Sequence, residues 1–249
     1  MWRLIVGEGT PQHCMALDEA LMELRNENRT GNIIRLYVFN PSSITIGYFQ
    51  KIEETIDMRY ADELGIPIVR RITGGGAVYH DQLGEITYSV ISDITDFSLD
   101  IQQSYKDICR GIVNALEDFG LKGEFVPVND VVIGKRKISG SAQTRKNRSL
   151  LQHGTFMYNT DIGKLGRLFK VPKEKLIAHG AESIYDRVTT VSRELGRTVS
   201  RDEAMQALIR GFSKAFNAHL RLDTLSQAEL ELARQIEKKY ASREWNFRR

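Results

Sequence analysis

The chain is short of cysteine, of proline and of long apolar runs. Its two cysteines, Cys14 and Cys109, lie far apart and outside any CxxC or CxxH pattern. That spacing argues against a structural zinc site and against a disulfide framework, and it fits a reducing, cytoplasmic compartment. Five prolines in 249 residues, with no repeat and no low-complexity stretch, leave no linker to mark a boundary. Residues 1–249 are therefore expected to form a single domain, long enough to bury a core without disulfides. No apolar run approaches the ~20 residues a membrane span needs. The opening MWRLIVGEGTPQHCMALDEA carries charge too early for a signal peptide. No membrane association is expected. A strong charge of one sign is also missing: the formal net charge of +3 suits an acidic substrate or partner and does not specify nucleic acid, so none is expected. Neither GxxxxGK[ST] nor GxGxxG occurs, which excludes a P-loop and a dinucleotide fingerprint.

What is present is a mixture of periodicities. Strands are expected at Leu4–Val6, Ile33–Phe39, Ser43–Phe49, Ile66–Val69 and Glu85–Ser92. Further strands are expected at Glu124–Val128, Val131–Ile133, Lys137–Thr144 and Leu150–Met157. Helical spacing marks Pro11 to about Asn26, Tyr60–Leu64 and Asp161–Phe169. It also marks a long helix from Ser98 whose stripe Ile101, Tyr105, Ile108, Ile112, Leu116 and Phe119 ends at Gly120. Capping boxes at Ser200/Glu203 and Ser226/Glu229 open helices over about Asp202–Asn217 and Gln227–Tyr240. Strict βαβ alternation is absent. The fold class is α+β, with mixed, largely antiparallel sheets flanked by helices.

Four stretches could carry chemistry. In RRITGGGAVYHD, Arg70–Asp81, three glycines follow an apolar run and are bracketed by Arg70, Arg71 and Thr73 before them and by His80 and Asp81 after. Bare glycine backbone admits a close approach, and the arginines suit carboxylate or phosphate. A glycine-rich turn is the plainer alternative. In KRKISGSAQ, strand alternation puts Lys137, Ser139, Ser141 and Gln143 on one face and Ile138, Gly140 and Ala142 on the other. The first face leaves room for a ligand beside the lysine, or it is a solvated edge. Asn129-Asp130 is either a turn or a carboxylate for Mg²⁺ beside phosphates. His153, in LQHGT, sits at a strand position where a structural role is the commoner one. His13, His179 and His219 are given no functional role. Cys109 falls beside the long helix's apolar stripe and reads as core. Cys14 lies near a helix start, where the dipole could lower a thiol pKa, but a structural role is the favoured reading.

Taken together, MALDEAL, ITIGYFQ, RRITGGGAVYHD, NDVV, RKISGSAQTR and LQHGT resemble, in this order and over almost the whole chain, the lipoate–protein ligases. That family is grouped with biotin ligases and octanoyltransferases, and the resemblance implies a biotin/lipoate protein ligase-like catalytic domain. It implies an ATP-dependent, adenylate-forming enzyme: lipoic acid and MgATP give lipoyl-AMP, and the acyl group then passes to a lysine of an acceptor. Acceptors would be lipoyl domains of 2-oxoacid dehydrogenases or the glycine-cleavage H protein. Lys137 would be the catalytic residue, steadying developing negative charge on acyl and phosphate oxygens. Arg71 would contact the adenylate, and Gly74, Gly75 and Gly76 would lie against it. Thr73, Ala77 and His80 from the same block would also belong to the substrate and adenylate site. So would Ser139, Gly140 and Ser141, together with His153 and Gly154, the two histidines without an assigned role. Asp130 and Asn129 would serve Mg²⁺.

Two departures bear on the activity. The cysteine-dependent octanoyltransferases of this superfamily use no ATP and carry their cysteine in the loop before the lysine strand. Here that region, KGEFVPVNDVVIGKRK, has none. An octanoyl or lipoyl transferase would then have to work through Cys14 or Cys109. Many long ligases also carry a C-terminal accessory domain, whereas this chain reaches KYASREWNFRR soon after its last helix. A separate accessory subunit is the corresponding expectation.

Overall fold

A computed structural model describes residues 2–170 and 184–248; His179 lies outside them. In chain order the strands are β1 (Trp2–Gly9), β2 (Asn32–Phe39), β3 (Ser43–Ile46), β4 (Ile68–Arg70), β5 (Val78–His80) and β6 (Glu85–Asp93). They continue as β7 (Gly123–Val126), β8 (Asp130–Ile133), β9 (Arg136–Lys146), β10 (Ser149–Met157) and β11 (Leu220–Leu222). Eight of them form one sheet in the order β11-β1-β2-β6-β10-β9-β8-β7, and β4-β3-β5 form a second. β1 pairs in parallel with β2 and β11, and β3 with β4; the other pairings are antiparallel. The mixed, mainly antiparallel α+β class read from the sequence is the one observed.

The helices are α1 (Pro11–Asn26), α2 (Ile52–Thr55), α3 (Met58–Glu63), α4 (Ile101–Glu117), α5 (Ile162–Leu168), α6 (Ile184–Arg187) and α7 (Val191–Leu195). After them come α8 (Arg201–Ala215), α9 (Gln227–Ala241) and α10 (Arg243–Asn246). Thr10 caps α1 by accepting from the His13 amide, with Pro11 at the first helical position, where its missing N–H costs nothing. Both capping boxes read from the sequence are formed. The β-rich run from Ser43 stops at Ile46 rather than Phe49, because the backbone turns at Gly47. The short elements α2, β5, α7, β11 and α10 lack enough residues for a period and escape sequence reading.

Helices cover both faces of the large sheet, so the central strands β6 and β10 are buried along their whole length. On one face α4 and α8 pack over Ile34, Leu36, Tyr88 and Val90. They cross where a Cβ on Gly211 would lie 2.3 Å from the Gly111 carbonyl oxygen, a closeness only glycine permits. On the other face α1 and α9 bury Leu17, Leu21 and Ala233 against Ile5, Ile33, Ile91 and Leu151. Each fully buried aliphatic chain there stabilises the layer by roughly 1.5–3 kcal/mol. The small sheet, with Ile44, Ile46 and Tyr79, packs on Met157, Leu165 and Leu168 and forms a separate core beside the C-terminal half of β10.

Candidate active site

The glycine block is the crossing from β4 to β5. What its bare backbone meets is another glycine: a Cβ on Gly47 would sit 2.0 Å from the Gly75 oxygen. Gly75 itself has φ +91°, a conformation L side chains rarely adopt. A Cβ on Gly74 or Gly76 would meet nothing within 4 Å.

The two arginines part ways because adjacent strand residues point to opposite sides. Arg70 is fully buried and donates to the carbonyls of Gly47, Tyr48, Gln50, Trp245 and Asn246. It ties the turn after β3 to α10 and is structural, which corrects its reading as a ligand cation. Arg71 turns inward. Its Nη2 donates to Gly74 O and Gly76 O, both at 2.7 Å, so this arginine gathers the glycine turn around itself. Its Nε donates to Thr73 Oγ1 at 3.0 Å and its Nη1 to Thr45 Oγ1 at 3.2 Å. Among the described residues no carboxylate lies within ion-pair distance of it. Burial lowers its pKa to about 10.

Two histidines stand behind those hydroxyls. His153 Nε2 is 2.7 Å from Thr73 Oγ1, and its Nδ1 is 2.9 Å from Asp18 Oδ2. Asp18 also accepts from Tyr37 and Ser89 and forms a buried ion pair with Arg35. Burial pushes the Asp18 carboxyl up, but Arg35 and the donors outweigh it and hold it below the usual range. His80 Nε2 is 3.0 Å from Thr45 Oγ1, and its Nδ1 faces Glu85 at 3.2 Å and Thr87 at 3.1 Å. Burial takes the His80 pKa to about 3 and lowers that of His153, while it raises Glu85 well above an ordinary glutamate. Both imidazoles are neutral at pH 7.

β9 carries the lysine, and here strand alternation misleads. The register against β8 shifts between Val131 and Val132, which pair with Ser139 and Lys137, so Ile138 is one residue too many. This bulge points Ile138 and Ser139 together into the core and moves Lys137 to the opposite face. Lys137 therefore shares its side with Gly140, where a Cβ would lie 2.4 Å from its Nζ, and with Ala142, which lies against Gly75. Ser139 and Ser141 do not present hydroxyls beside the lysine. The Ser141 Oγ reaches Tyr88 OH at 2.7 Å and Cys109 Sγ at 3.5 Å, beneath α4. Gly154 is needed there, since its Cβ would lie 2.8 Å from that Oγ. Lys137 Nζ pairs with Asp130 Oδ1 at 2.6 Å. Asn129 holds Ser141 O through its amide.

These residues enclose a cavity of about 100 Å³, walled by Arg71, Gly75, Gly76, Ala77, His80 and His153 on one side. Asn129, Lys137, Gly140, Ser141 and Gly154 line the other, with Met15, Tyr37 and Thr45 also on the wall. A larger, mainly apolar space of about 300 Å³ adjoins it and shares Ala77, Val78, Lys137, Gly140 and Thr155. Tyr79, Met157, Leu165, Phe169 and Val188 extend that second space. Thr73, Gly74, Ser139 and Asp130 stand behind or beside these walls. Among the described residues no group of three or more His, Cys, Asp or Glu side chains could hold a metal ion alone. Asp130 is engaged by Lys137, and the Asn129 amide is held on Ser141 O. Sequence reasoning passed over Asp18, Thr45, Gly47 and Glu85. The signals were an acid on the buried face of α1, Asp18, and a lone Arg35 in IIRLYVF. Each is costly to bury without the other.

Residues 10–213 match the model of the lipoyl protein ligase A/B catalytic domain. Octanoyltransferase LipM of Anoxybacillus flavithermus is 35% identical over 276 positions, which take in 100% of this chain and 99% of LipM. A chain in the solved structure of a bipartite lipoate protein ligase and its E2 lipoyl domain, from Thermoplasma acidophilum, is 36% identical with a TM-score of 0.85. That match covers 98% of this chain and 95% of the other. A lipoate-protein ligase A bound with ATP is 33% identical at a TM-score of 0.84, over 99% of this chain and 97% of the other. The fold is thus that of an enzyme in the lipoate ligase and octanoyltransferase class. The chain belongs to the lipoyl protein ligase A/B catalytic-domain family.

Proposed function

We propose that this chain, as one catalytic domain over residues 1–249, is the catalytic subunit of an ATP-dependent lipoate–protein ligase. The observation that carries the reading is a cation-bearing cavity without a thiol. Lys137 and Arg71 line it, and no thiol does among the described residues. Cys14 and Cys109 are both buried, and burial pushes their thiols up to about 12 and about 11, which leaves almost no thiolate at pH 7. Cys109 faces Ser141 and Tyr88 behind β9, away from the cavity. Residues 122–137 contain no cysteine.

In the first step a lipoate carboxylate oxygen attacks the α-phosphorus of MgATP, and pyrophosphate leaves. In the second the ε-amine of an acceptor lysine attacks the acyl carbonyl, AMP leaves and the amine loses its proton. Both steps develop charge on oxygen, so fixed cations help more than covalent participation. Lys137 stands where the two cavities meet and serves both steps by exchanging Asp130 for substrate oxygens. Arg71 holds the glycine turn and offers positive charge to the acyl carboxylate or adenylate phosphate. Gly74, Gly75, Gly76 and Ala77 let the substrate lie against backbone, and Asp130 with Asn129 orients the Mg²⁺ that ATP brings. Acceptors are lipoyl domains or the glycine-cleavage H protein, as the E2 lipoyl domain is described with the Thermoplasma ligase. That ligase is bipartite, which supports a separate accessory subunit here as well. The cytoplasm is the compartment proposed, and no described helix is long and apolar enough to cross a membrane.

The second reading, an octanoyl transferase that works without ATP, is favoured by the likeness to LipM. Lipoate-dependent ATP–pyrophosphate exchange, run with and without a candidate accessory protein, separates the two. Exchange under either condition supports the ligase. No exchange, together with thioester-dependent acyl transfer, overturns it.

A further inference from the structure

Arg71 is anchored by two relays of the same composition. One runs from Arg71 Nε through Thr73 Oγ1 and His153 to Asp18, with steps of 3.0, 2.7 and 2.9 Å. The other runs from Arg71 Nη1 through Thr45 Oγ1 and His80 to Glu85, with steps of 3.2, 3.0 and 3.2 Å. Their hydroxyls come from different segments, Thr73 from the glycine crossing and Thr45 from β3, and each relay ends on an acidic residue that is at most 1% exposed.

The directions of the first relay are fixed by chemistry. An arginine only donates, so Thr73 Oγ1 accepts from Nε and its own proton is free to go to His153 Nε2. Asp18, held ionised by Arg35, only accepts, so His153 carries its proton on Nδ1. The ring is therefore a neutral Nδ1–H tautomer with Nε2 as acceptor. Four hydrogen bonds use four of the five guanidinium N–H groups. The charge itself is met by hydroxyls and carbonyls, which orient a cation without neutralising it. A carboxylate in their place would fix Arg71 equally well and cancel the charge the substrate needs.

We propose that Thr45 and Thr73 are positioning residues, each backed by a histidine and a buried carboxyl, that fix the Arg71 guanidinium while leaving its charge for the substrate's anionic group. The proposal rests on the ligase reading for the identity of that group. It gives Thr73, His80 and His153 a supporting role toward Arg71, although the two histidines also line the cavity, and adds Thr45, Asp18 and Glu85 to that set.

The test uses Thr73→Val and Thr45→Val, which keep shape and remove the hydroxyl, and Thr73→Ser and Thr45→Ser, which keep it. Acyl transfer from supplied lipoyl-AMP to an apo lipoyl domain is measured alongside long-range ¹⁵N spectra of the histidine side chains. Loss of one hydrogen bond to a buried charged group should raise KM for lipoyl-AMP about tenfold or more in each Val variant. kcat should change far less, and the Ser variants should lie within about threefold of the parent. A variant that merely folds poorly would lose kcat and keep its KM. The parent spectrum should show His153 as the Nδ1–H tautomer, and Thr73→Val should shift its Nε2 resonance. KM within twofold of the parent in both Val variants overturns the proposal, as does a parent His153 that is Nε2–H or doubly protonated at pH 7. A parent that transfers no acyl group refutes the ligase reading. The relay is then judged by the ¹⁵N result alone, which does not depend on activity.

Discussion

Gly47→Ala should reach the active site from outside it. The backbone of Gly47 is not left-handed, so alanine meets no conformational penalty there and the effect is purely steric. Its Cβ would lie 2.0 Å from Gly75 O, 3.0 Å from Gly75 C and 3.2 Å from Gly74 C. All three are backbone atoms, so no side chain can swing away. Real Cβ contacts do not fall below 3.0 Å, so the glycine turn must retreat by about 1 Å. Overpacking of this kind costs about 1–3 kcal/mol, which for a chain of this size lowers Tm by roughly 2–12 °C. The catalytic cost should be larger. Arg71 Nη2 bonds Gly74 O and Gly76 O on either side of the displaced residue. A misplacement of ~1 Å in a positioning element costs on the order of 100-fold in rate. Thermal melts and acyl transfer from lipoyl-AMP measure the two effects. Gly7→Ala on β1, where a Cβ meets nothing within 4 Å, is the control and should leave both unchanged. If Gly47→Ala melts within 1 °C of the parent and keeps kcat/KM within about threefold, the account of the glycine turn is wrong.

Lys137→Ala should slow both half-reactions by about 100-fold or more. It should leave Tm nearly unchanged, because Lys137 and Asp130 are 36% and 31% exposed and their ion pair adds little stability; near-normal transfer from lipoyl-AMP would contradict its assigned role. The double variant Cys14→Ala/Cys109→Ala should keep acyl transfer, with some loss of Tm from the two small cavities. Loss of transfer with an unchanged circular dichroism spectrum would restore the thiol mechanism. Stability should fall as pH is lowered below about 6.5, since unfolded His153 takes up a proton there and the buried ring does not. The slope is up to about 1.4 kcal/mol per pH unit. The His80 and Glu85 shifts run in opposite directions, so their contributions to this slope oppose each other. Denaturant melts of His153→Gln from pH 7 to 5 should show a flattened slope; an unchanged slope would mean that another group titrates.

Where the chemistry is local, the sequence was readable. Ser200/Glu203 and Ser226/Glu229 announce helices because a capping box is closed within four residues. The stripe Tyr105, Ile108, Ile112 and Leu116 announces α4 because one face of a helix meets one layer, whereas Ile101 at its start is exposed. Lys137, Arg71 and the glycines could be picked out because few residue types at that spacing suit an anionic ligand. The errors lie where one residue changes direction. Alternation put Lys137 with the serines, and a single extra residue at Ile138 reversed that, since a strand's period of two turns any slip into a change of face. Arg70 and Arg71 looked equivalent, and they serve opposite sides of one strand.

Propensity, capping and charge are properties of short segments, so the longer elements, the α+β class and the residue chemistry of the candidate site were legible in the order of amino acids. Which arginine faces the cavity, which side of β9 the lysine occupies and what the glycines approach were settled by packing in three dimensions. Each answer depends on a partner distant in the chain: Asn246 for Arg70, Gly47 for Gly75, and Asp18 for His153. Burial then set the protonation of the two histidines, and burial is a property of the packed layers rather than of any stretch of residues.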